Sequence, residues 1–437
     1  LVLQEGVAMG MADAYARATG RPSFVNLHIE TGLANGLSLL HNANAGGTPV
    51  VLTAGNKDVR ELAYGRTELP EMAKALTKWS VEITNPEQIP SVFGRAFKEA
   101  STPPTGPVFV SFAANALDGE TLEKVSPSNP GYHRIAPDLV AIDDATGLLA
   151  ASENPVMLVG DLVGESQATN EAVQVADMLG ARVYASMYST MNFPTNHPNF
   201  RGVLRVDFPE GPRALADADV VLAIGDMATG YYMFSNPQMT YLRPKTKLIH
   251  IDSNPSKVGR TQKTDVGIIA DPKVALSTLV EVLDSVMSYS EKDAAKERAA
   301  ALERENIAIR QARRRRVEAR WDSFPMSAER MMAEVAAALP PDVLVADDAV
   351  TTQAALHGAM DFTQAGSVLG SRGGAIGWGV GGTMGLKLAN PNRPVVGIVG
   401  DGSAMMTAQG FWTAAVHKIP VVYIICNNQS YRVLKVN

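Results

Sequence analysis

The chain has 437 residues, 46% of them hydrophobic and 19% charged, an ordinary globular make-up with room for roughly two to four domains, each with its own core. A net charge of −6 leaves no basic footprint for nucleic acid, and no apolar run approaches the eighteen or so residues of a membrane span. The one cysteine, Cys426, lies in an apolar run, so there is no disulfide framework and a reducing, cytoplasmic setting is expected.

Residues 1–118 alternate helix and strand. Val2 to Thr19 has helical spacing, Ser23 to His28 reads as a strand, and Gly36 to Ala45 is helical again. Pro49 to Ala54 is a strand, and so is Phe109 to Phe112, which follows the breaker-rich run Thr102 to Pro107. The alternation predicts a parallel sheet with helices on both faces. Taken alone, Glu5 on the first helix is an ordinary solvated carboxylate. His28, closing its strand, is equally a satisfied core residue or a pocket residue.

The Pro- and Gly-containing stretch Ser126 to Pro137 reads as a linker to a second domain, 138–286. Its strands are Val156 to Gly160, Arg182 to Ala185, Val220 to Gly225 and Leu248 to Asp252. Asp252 ends its strand where a dinucleotide fold would meet a ribose. No Gly-x-Gly-x-x-Gly follows the domain's first strand, however, and Gly160-Asp161-Leu162-Val163-Gly164 is a poor substitute. Residues 291–322 form a polar helical linker. Its four consecutive arginines, Arg313 to Arg316, point all round the helix, and Glu303, Glu305 and Glu318 dilute their field, so a solvated face is expected rather than an anion site.

The last segment, 325–437, opens with the strand Val343 to Ala346, followed by Thr351 and Thr352. A glycine-dense run, Gly373 to Gly379, taken alone suggests close helix packing through small residues. Then come Val395 to Val399, ending in Gly400-Asp401-Gly402-Ser403, and Val421 to Cys426, ending in Asn427-Asn428. Both apolar runs read as strands buried on both faces, with the helix Ala404 to Lys418 between them. Each polar cluster therefore falls at the carboxyl end of a parallel strand, where open α/β sheets bind ligands. Asp401 and Asn428 offer hard oxygen suited to Mg²⁺ or Ca²⁺, and Gly402 and Ser403 open a helix whose free N–H groups favour a phosphate. Either cluster alone is an ordinary turn; the pair on this scaffold points to a metal-bridged diphosphate.

Gly-Asp-Gly, a spacer of this length and Asn-Asn make up the thiamine diphosphate signature. The chain resembles the decarboxylase and acetolactate synthase superfamily, and within it the benzoylformate decarboxylases. Besides Gly400 to Ser403, the stretches Leu3-Gln4-Glu5, Asn26-Leu27-His28, Leu52-Thr53-Ala54-Gly55 and Phe193-Pro194-Thr195 with His197-Pro198 carry that likeness. The resemblance implies three doubly wound domains: pyrimidine-binding, a structural middle domain in which FAD is not expected but a nucleotide stays open, and diphosphate-binding. It implies a 2-keto acid or aldehyde substrate and a homodimer or homotetramer with sites shared between chains.

Residue by residue, the resemblance makes Glu5 the carboxyl that bonds the cofactor's pyrimidine nitrogen and His28 a proton donor or acceptor near the substrate. It makes Ile376 the apolar residue that bends the cofactor, so that the pyrimidine amino group meets the reactive carbon. Thr351, Gly374, Asp401, Gly402, Ser403, Asn428, Ser430 and Tyr431 fall to cofactor binding, with Asp401, Asn428 and the Ser430 carbonyl on the metal. Two departures stand out: Glu30, and Tyr232 where benzoylformate decarboxylases place a second histidine. Family members extend past Leu1 and Asn437, so flanks missing at both ends are expected.

Overall fold

In a computed structural model, residues 1–124, 134–185, 190–204, 210–225 and 241–436 are described. Tyr232 and most of the Ser126 to Pro137 stretch lie outside them. The chain packs into two compact units. One comprises Leu1–Tyr132, Pro341–Val350 and Leu369–Arg432; the other comprises His133–Pro340, Thr351–Val368 and Val433–Asn437. The helix Ala328–Ala338 thus packs in the second unit although it lies within the segment 325–437.

The first unit holds two four-stranded sheets. In one, β1 (Ser23–Leu27), β2 (Val50–Asn56), β3 (Trp79–Ile83) and β4 (Val108–Ala113) run in the order β1-β2-β4-β3, all parallel. Helix α1 (Glu5–Thr19) begins at Gln4, whose side-chain carbonyl accepts the Val7 N–H at 2.8 Å and so places Glu5 in the first turn. Helix α2 (Ile29–Ala45) starts directly after His28, earlier than the expected Gly36. Gly32 and Gly36 serve as contact surfaces on this helix. A Cβ on Gly36 would lie 2.6 Å from Leu27 Cδ1, and one on Gly32 3.3 Å from Glu5 Oε1.

The second unit carries a six-stranded parallel sheet. Its strands β5 (Val156–Val159), β6 (Arg182–Ala185), β7 (Phe200–Val203), β8 (Val220–Ile224), β9 (Lys247–Asp252) and β10 (Val266–Ile269) take the order β10-β9-β8-β5-β6-β7. Asp252 ends β9 in a tight turn, accepting the Asn254 N–H at 2.7 Å. The linker helix, Tyr289–Ala319, is opened by a Ser288/Glu291 capping box and buries only Ala295 and Leu302. Among the described residues no helix is long and apolar enough to cross a membrane.

The last sheet has the order β12-β11-β13-β14, from β11 (Leu344–Asp348), β12 (Val368–Gly370), β13 (Val395–Gly400) and β14 (Val422–Cys426). β13 is buried as expected. β14 is not: it is an edge strand, with Val422 57% and Ile425 39% exposed. The expected helix Ala404 to Lys418 is instead two helices, Asp401–Met406 and Gln409–Val416. The break falls at Thr407 and Ala408, where the Thr407 hydroxyl turns away to donate to the Gly377 carbonyl at 2.7 Å.

The pyrimidine- and diphosphate-type sheets meet through α1 and the helix Trp378–Ala389. Their backbones approach closely enough that a Cβ on Gly385 would lie 2.1 Å from the Met11 carbonyl oxygen. Val7, Met9, Trp378, Val380 and Met384 are fully buried there. Asp13, itself buried, accepts from the Trp378 indole at 2.8 Å and the Thr48 hydroxyl at 2.6 Å.

Candidate active site

Parallel register sets the two polar clusters side by side. Gly400 pairs with Cys426, so the residues that follow each strand leave neighbouring carboxyl ends of the sheet. Asp401 accepts the Gln429 N–H at 3.0 Å, which ties the first cluster to the second. The Asn428 side-chain oxygen accepts the Ser430 N–H at 3.0 Å, and Gln429 adopts φ +53° within this turn. The Ser430 hydroxyl oxygen is buried with no hydrogen-bond partner. Tyr431 lies over Gly402, where a Cβ would come within 2.7 Å of its ring.

One carboxylate, one amide oxygen and backbone groups make a hard, sparse donor set. Among the described residues no group of three or more His, Cys, Asp or Glu gathers. Such a set fits Mg²⁺, which is commonly bound by one or two carboxylates together with ligand phosphates. Helix Asp401–Met406 begins at Gly400 without a side-chain cap, which leaves its first N–H groups for an anion. These residues therefore fit a metal-bound diphosphate.

The glycine run proves to be a turn before it is a helix. Gly373, Gly374 and Gly377 have φ of +83°, +85° and +99°, values closed to ordinary side chains, and the helix starts only at Trp378. Ile376 stands between them, 39% exposed. Asn42 of α2 clamps this turn, its carbonyl accepting the Ala375 N–H at 3.0 Å and its amide donating to the Ala375 carbonyl at 2.8 Å.

Glu5 is half-buried beside the start of α2, and the Asn35 amide donates to it at 3.3 Å. His28 is exposed at the carboxyl end of β1, in the N-cap position of α2 but making no cap bond. Ile29, next to it, has φ +40°, an outlier for a β-branched residue that costs roughly 1–3 kcal/mol. Glu30 follows, half-buried in the first turn of α2. Thr351 packs with the second unit and is exposed.

Sequence reasoning passed over Asp348. It ends β11 one strand from Asp401's, and its carboxyl is buried. The same carboxylate oxygen accepts from the Ser403 hydroxyl and, at 2.8 Å, from the Gly379 N–H. Burial pushes its pKa up to about 6 against the lowering effect of those bonds. The available signal was an acidic residue directly after an apolar strand. The clamps made by Asn42 and Asp13 had no comparable signal.

Three thiamine pyrophosphate enzyme family models match the chain: the N-terminal TPP binding domain over residues 1–77, the central domain over 142–279 and the C-terminal TPP binding domain over 348–437. Benzoylformate decarboxylase of Pseudomonas aeruginosa is 31% identical, the match covering 100% of this chain and 80% of the relative. The acetolactate synthase large subunit of Corynebacterium glutamicum is 26% identical over 98% of this chain and 68% of its own. The solved thiamine diphosphate-dependent 4-hydroxybenzoylformate decarboxylase of Rhodococcus jostii superimposes with a TM-score of 0.84 at 27% identity, covering 100% of this chain and 80% of that one. The chain belongs to the thiamine diphosphate-dependent enzymes of the decarboxylase and acetolactate synthase family.

Proposed function

We propose that this chain is a Mg²⁺-dependent, thiamine diphosphate-dependent decarboxylase that converts a 2-keto acid of the benzoylformate type to an aldehyde. The observation that carries this reading is the pairing of Asp401 with the Asn428 turn at adjacent strand ends, beside the Ile376 turn. Asp401, Asn428 and the Ser430 carbonyl would hold the metal; the N–H groups of Gly402 and Ser403, with Gly374 and Tyr431, would take the rest of the diphosphate end. Thiamine diphosphate, when bound, supplies the nucleophilic carbon and the electron sink. With the cofactor bound, Glu5 would hold a proton at its pyrimidine nitrogen, Ile376 would support it from the glycine turn, and His28 would exchange a proton with the substrate. The test is aldehyde release across a panel of 2-keto acids from pyruvate to benzoylformate. Condensation products without free aldehyde would instead favour the acetolactate synthase-like carboligase, the second reading that the relatives support.

The same proposal makes the active unit a homodimer, or a dimer of dimers, with each site shared between two chains. Within one chain α2 carries contacts to both: Asn35 bonds Glu5, and Asn42, seven residues on, clamps the Ile376 turn. An apolar face is also open next to the metal cluster, where Met405 is 74%, Met406 47% and Trp412 44% exposed. A two-fold partner that covers this face brings its own first domain to the cofactor.

A further inference from the structure

Asp348 sits at the meeting point of the three segments that make up the cofactor cradle, and the bonds around it form a closed relay. Its Oδ2 accepts both the Ser403 O–H and the Gly379 N–H. Ser403 Oγ in turn accepts the Gly377 N–H at 2.8 Å. On its other side the Gly377 peptide is held through its carbonyl by the Thr407 hydroxyl at 2.7 Å. The Ser403 hydroxyl and that of Thr407, four residues on, thus grip the two peptide groups of Gly377, the residue directly after Ile376. Glycine is required at both contact points. A Cβ on Gly379 would lie 2.7 Å from Asp348 Cβ, and one on Gly377 2.9 Å from Met406 Cβ.

A serine hydroxyl has a single proton to donate. Here that proton goes to Asp348, so the Ser403 side chain is a link inside the cradle and its backbone N–H is what remains for a phosphate. Without an acceptor at 348 the hydroxyl rotates freely, and the Gly377 N–H loses the partner that fixes its orientation. We propose that Asp348 is a positioning residue of this active site, which acts through Ser403 and the Gly377 peptide to hold Ile376 at a set height beneath the cofactor's rings. This inference rests on the thiamine diphosphate reading of the site and adds to it a residue that touches neither cofactor nor metal. The surrounding chain encloses the carboxyl, leaving Asp348 only 6% exposed.

The test compares wild type, Asp348→Asn and Asp348→Ala with thiamine diphosphate and Mg²⁺. One readout is the cofactor dissociation constant, by fluorescence titration. The other is hydrogen–deuterium exchange at the thiazolium carbon of the bound cofactor, by NMR after acid quench at saturating cofactor. Asn keeps one oxygen that can accept both donors, so Asp348→Asn is expected to exchange within about threefold of wild type, while Asp348→Ala exchanges roughly 10²-fold slower, the scale of a misplacement of about 1 Å. The metal cluster is untouched in both, so dissociation constants stay within about tenfold of wild type. Should Asp348→Ala fail to fold, Ser403→Ala interrupts the same relay and is expected to show the same slow exchange at saturation. Wild-type exchange in Asp348→Ala, or in Ser403→Ala if that variant replaces it, overturns the inference, as does an Asn variant as slow as Ala. A wild-type chain that takes up no thiamine diphosphate overturns the reading of the site itself, a separate failure visible before any variant is made.

Discussion

Replacing Asp13 by alanine tests whether the pyrimidine- and diphosphate-type sheets are joined by a buried polar lock. The carboxylate accepts from the Trp378 indole at 2.8 Å and the Thr48 hydroxyl at 2.6 Å, with Arg17 at 3.5 Å. Asp13 and Arg17 side chains are each only 3% exposed. Alanine strands two buried donors, at about 1–3 kcal/mol each, and leaves a buried guanidinium without its counter-charge, at about 3–5 kcal/mol. Two contacts moderate the sum: Arg17 still donates to the Gly370 carbonyl at 2.8 Å, and Thr48 still accepts from Arg372 at 3.1 Å. The expected loss is about 5 kcal/mol for Asp13→Ala and about 2 kcal/mol for Asp13→Asn, which keeps one accepting oxygen. Urea unfolding followed by tryptophan fluorescence and far-ultraviolet circular dichroism reads these losses as a lowered midpoint of the first unit. Trp378→Phe removes one of the same bonds, so the double variant should lose less than the sum of the singles. A loss below about 1 kcal/mol in Asp13→Ala, or strict additivity with Trp378→Phe, refutes the lock.

The remaining predictions concern the chemistry and its pH dependence. Glu5→Gln should bind cofactor yet turn over at least roughly 10²-fold more slowly, with thiazolium exchange slowed in parallel; unchanged exchange means that Glu5 is not the proton relay. Protein freed of divalent ions should regain activity with Mg²⁺ and respond poorly to Zn²⁺, whereas full activity of verified metal-free protein in excess chelator contradicts the hard-oxygen site. Glu5→Gln and Asp401→Ala chains, each inactive alone, should recover about a quarter of wild-type sites when refolded together in equal amounts, because one site of each mixed dimer collects neither defect. Mixtures that stay inactive while wild type refolds beside them rule out sharing. His250 is buried, neither ring nitrogen has a hydrogen-bond partner, and burial holds its pKa down to about 4 from 6.5. The folded state therefore binds fewer protons than the unfolded one in that window, so stability present above about pH 6.5 is lost as the pH falls through about 4. His250→Leu should shrink the difference in urea midpoint between pH 7 and pH 5; an unchanged difference means that another group sets the acid response.

The central strands and the ligand clusters were legible in the amino-acid order because each is encoded locally. β2, β4, β5, β8, β9, β11 and β13 lie inside their sheets and each has an apolar stretch at its heart, since a strand covered on both faces has little place for water. The strands that went unseen, β3, β7, β10 and β12, are all sheet edges. β3, β7 and β10 are short and half-wetted, so their composition hardly differs from that of a loop, and β12 is buried but only three residues long. β14 shows the converse: its apolar run promised burial, and its place at the edge leaves Val422 and Ile425 in the open.

The same division holds at the site. Gly-Asp-Gly-Ser and Asn-Asn are turn chemistry written in consecutive residues, and the strand–helix–strand between them is short enough to infer that they converge. Asp348, Asn42 and Asp13 acquire their roles chiefly from partners 31 to 365 positions away, which no local pattern records. Only tertiary packing determined that the Ser403 proton goes to a buried carboxylate, that Gly32 and Gly36 lie against Glu5 and Leu27, and that Ile29 is held at φ +40° between His28 and Glu30. The physical reason is common to all three. Local order sets which groups can bond, and burial against distant chain removes water as the competing partner, which leaves each group one place to bond.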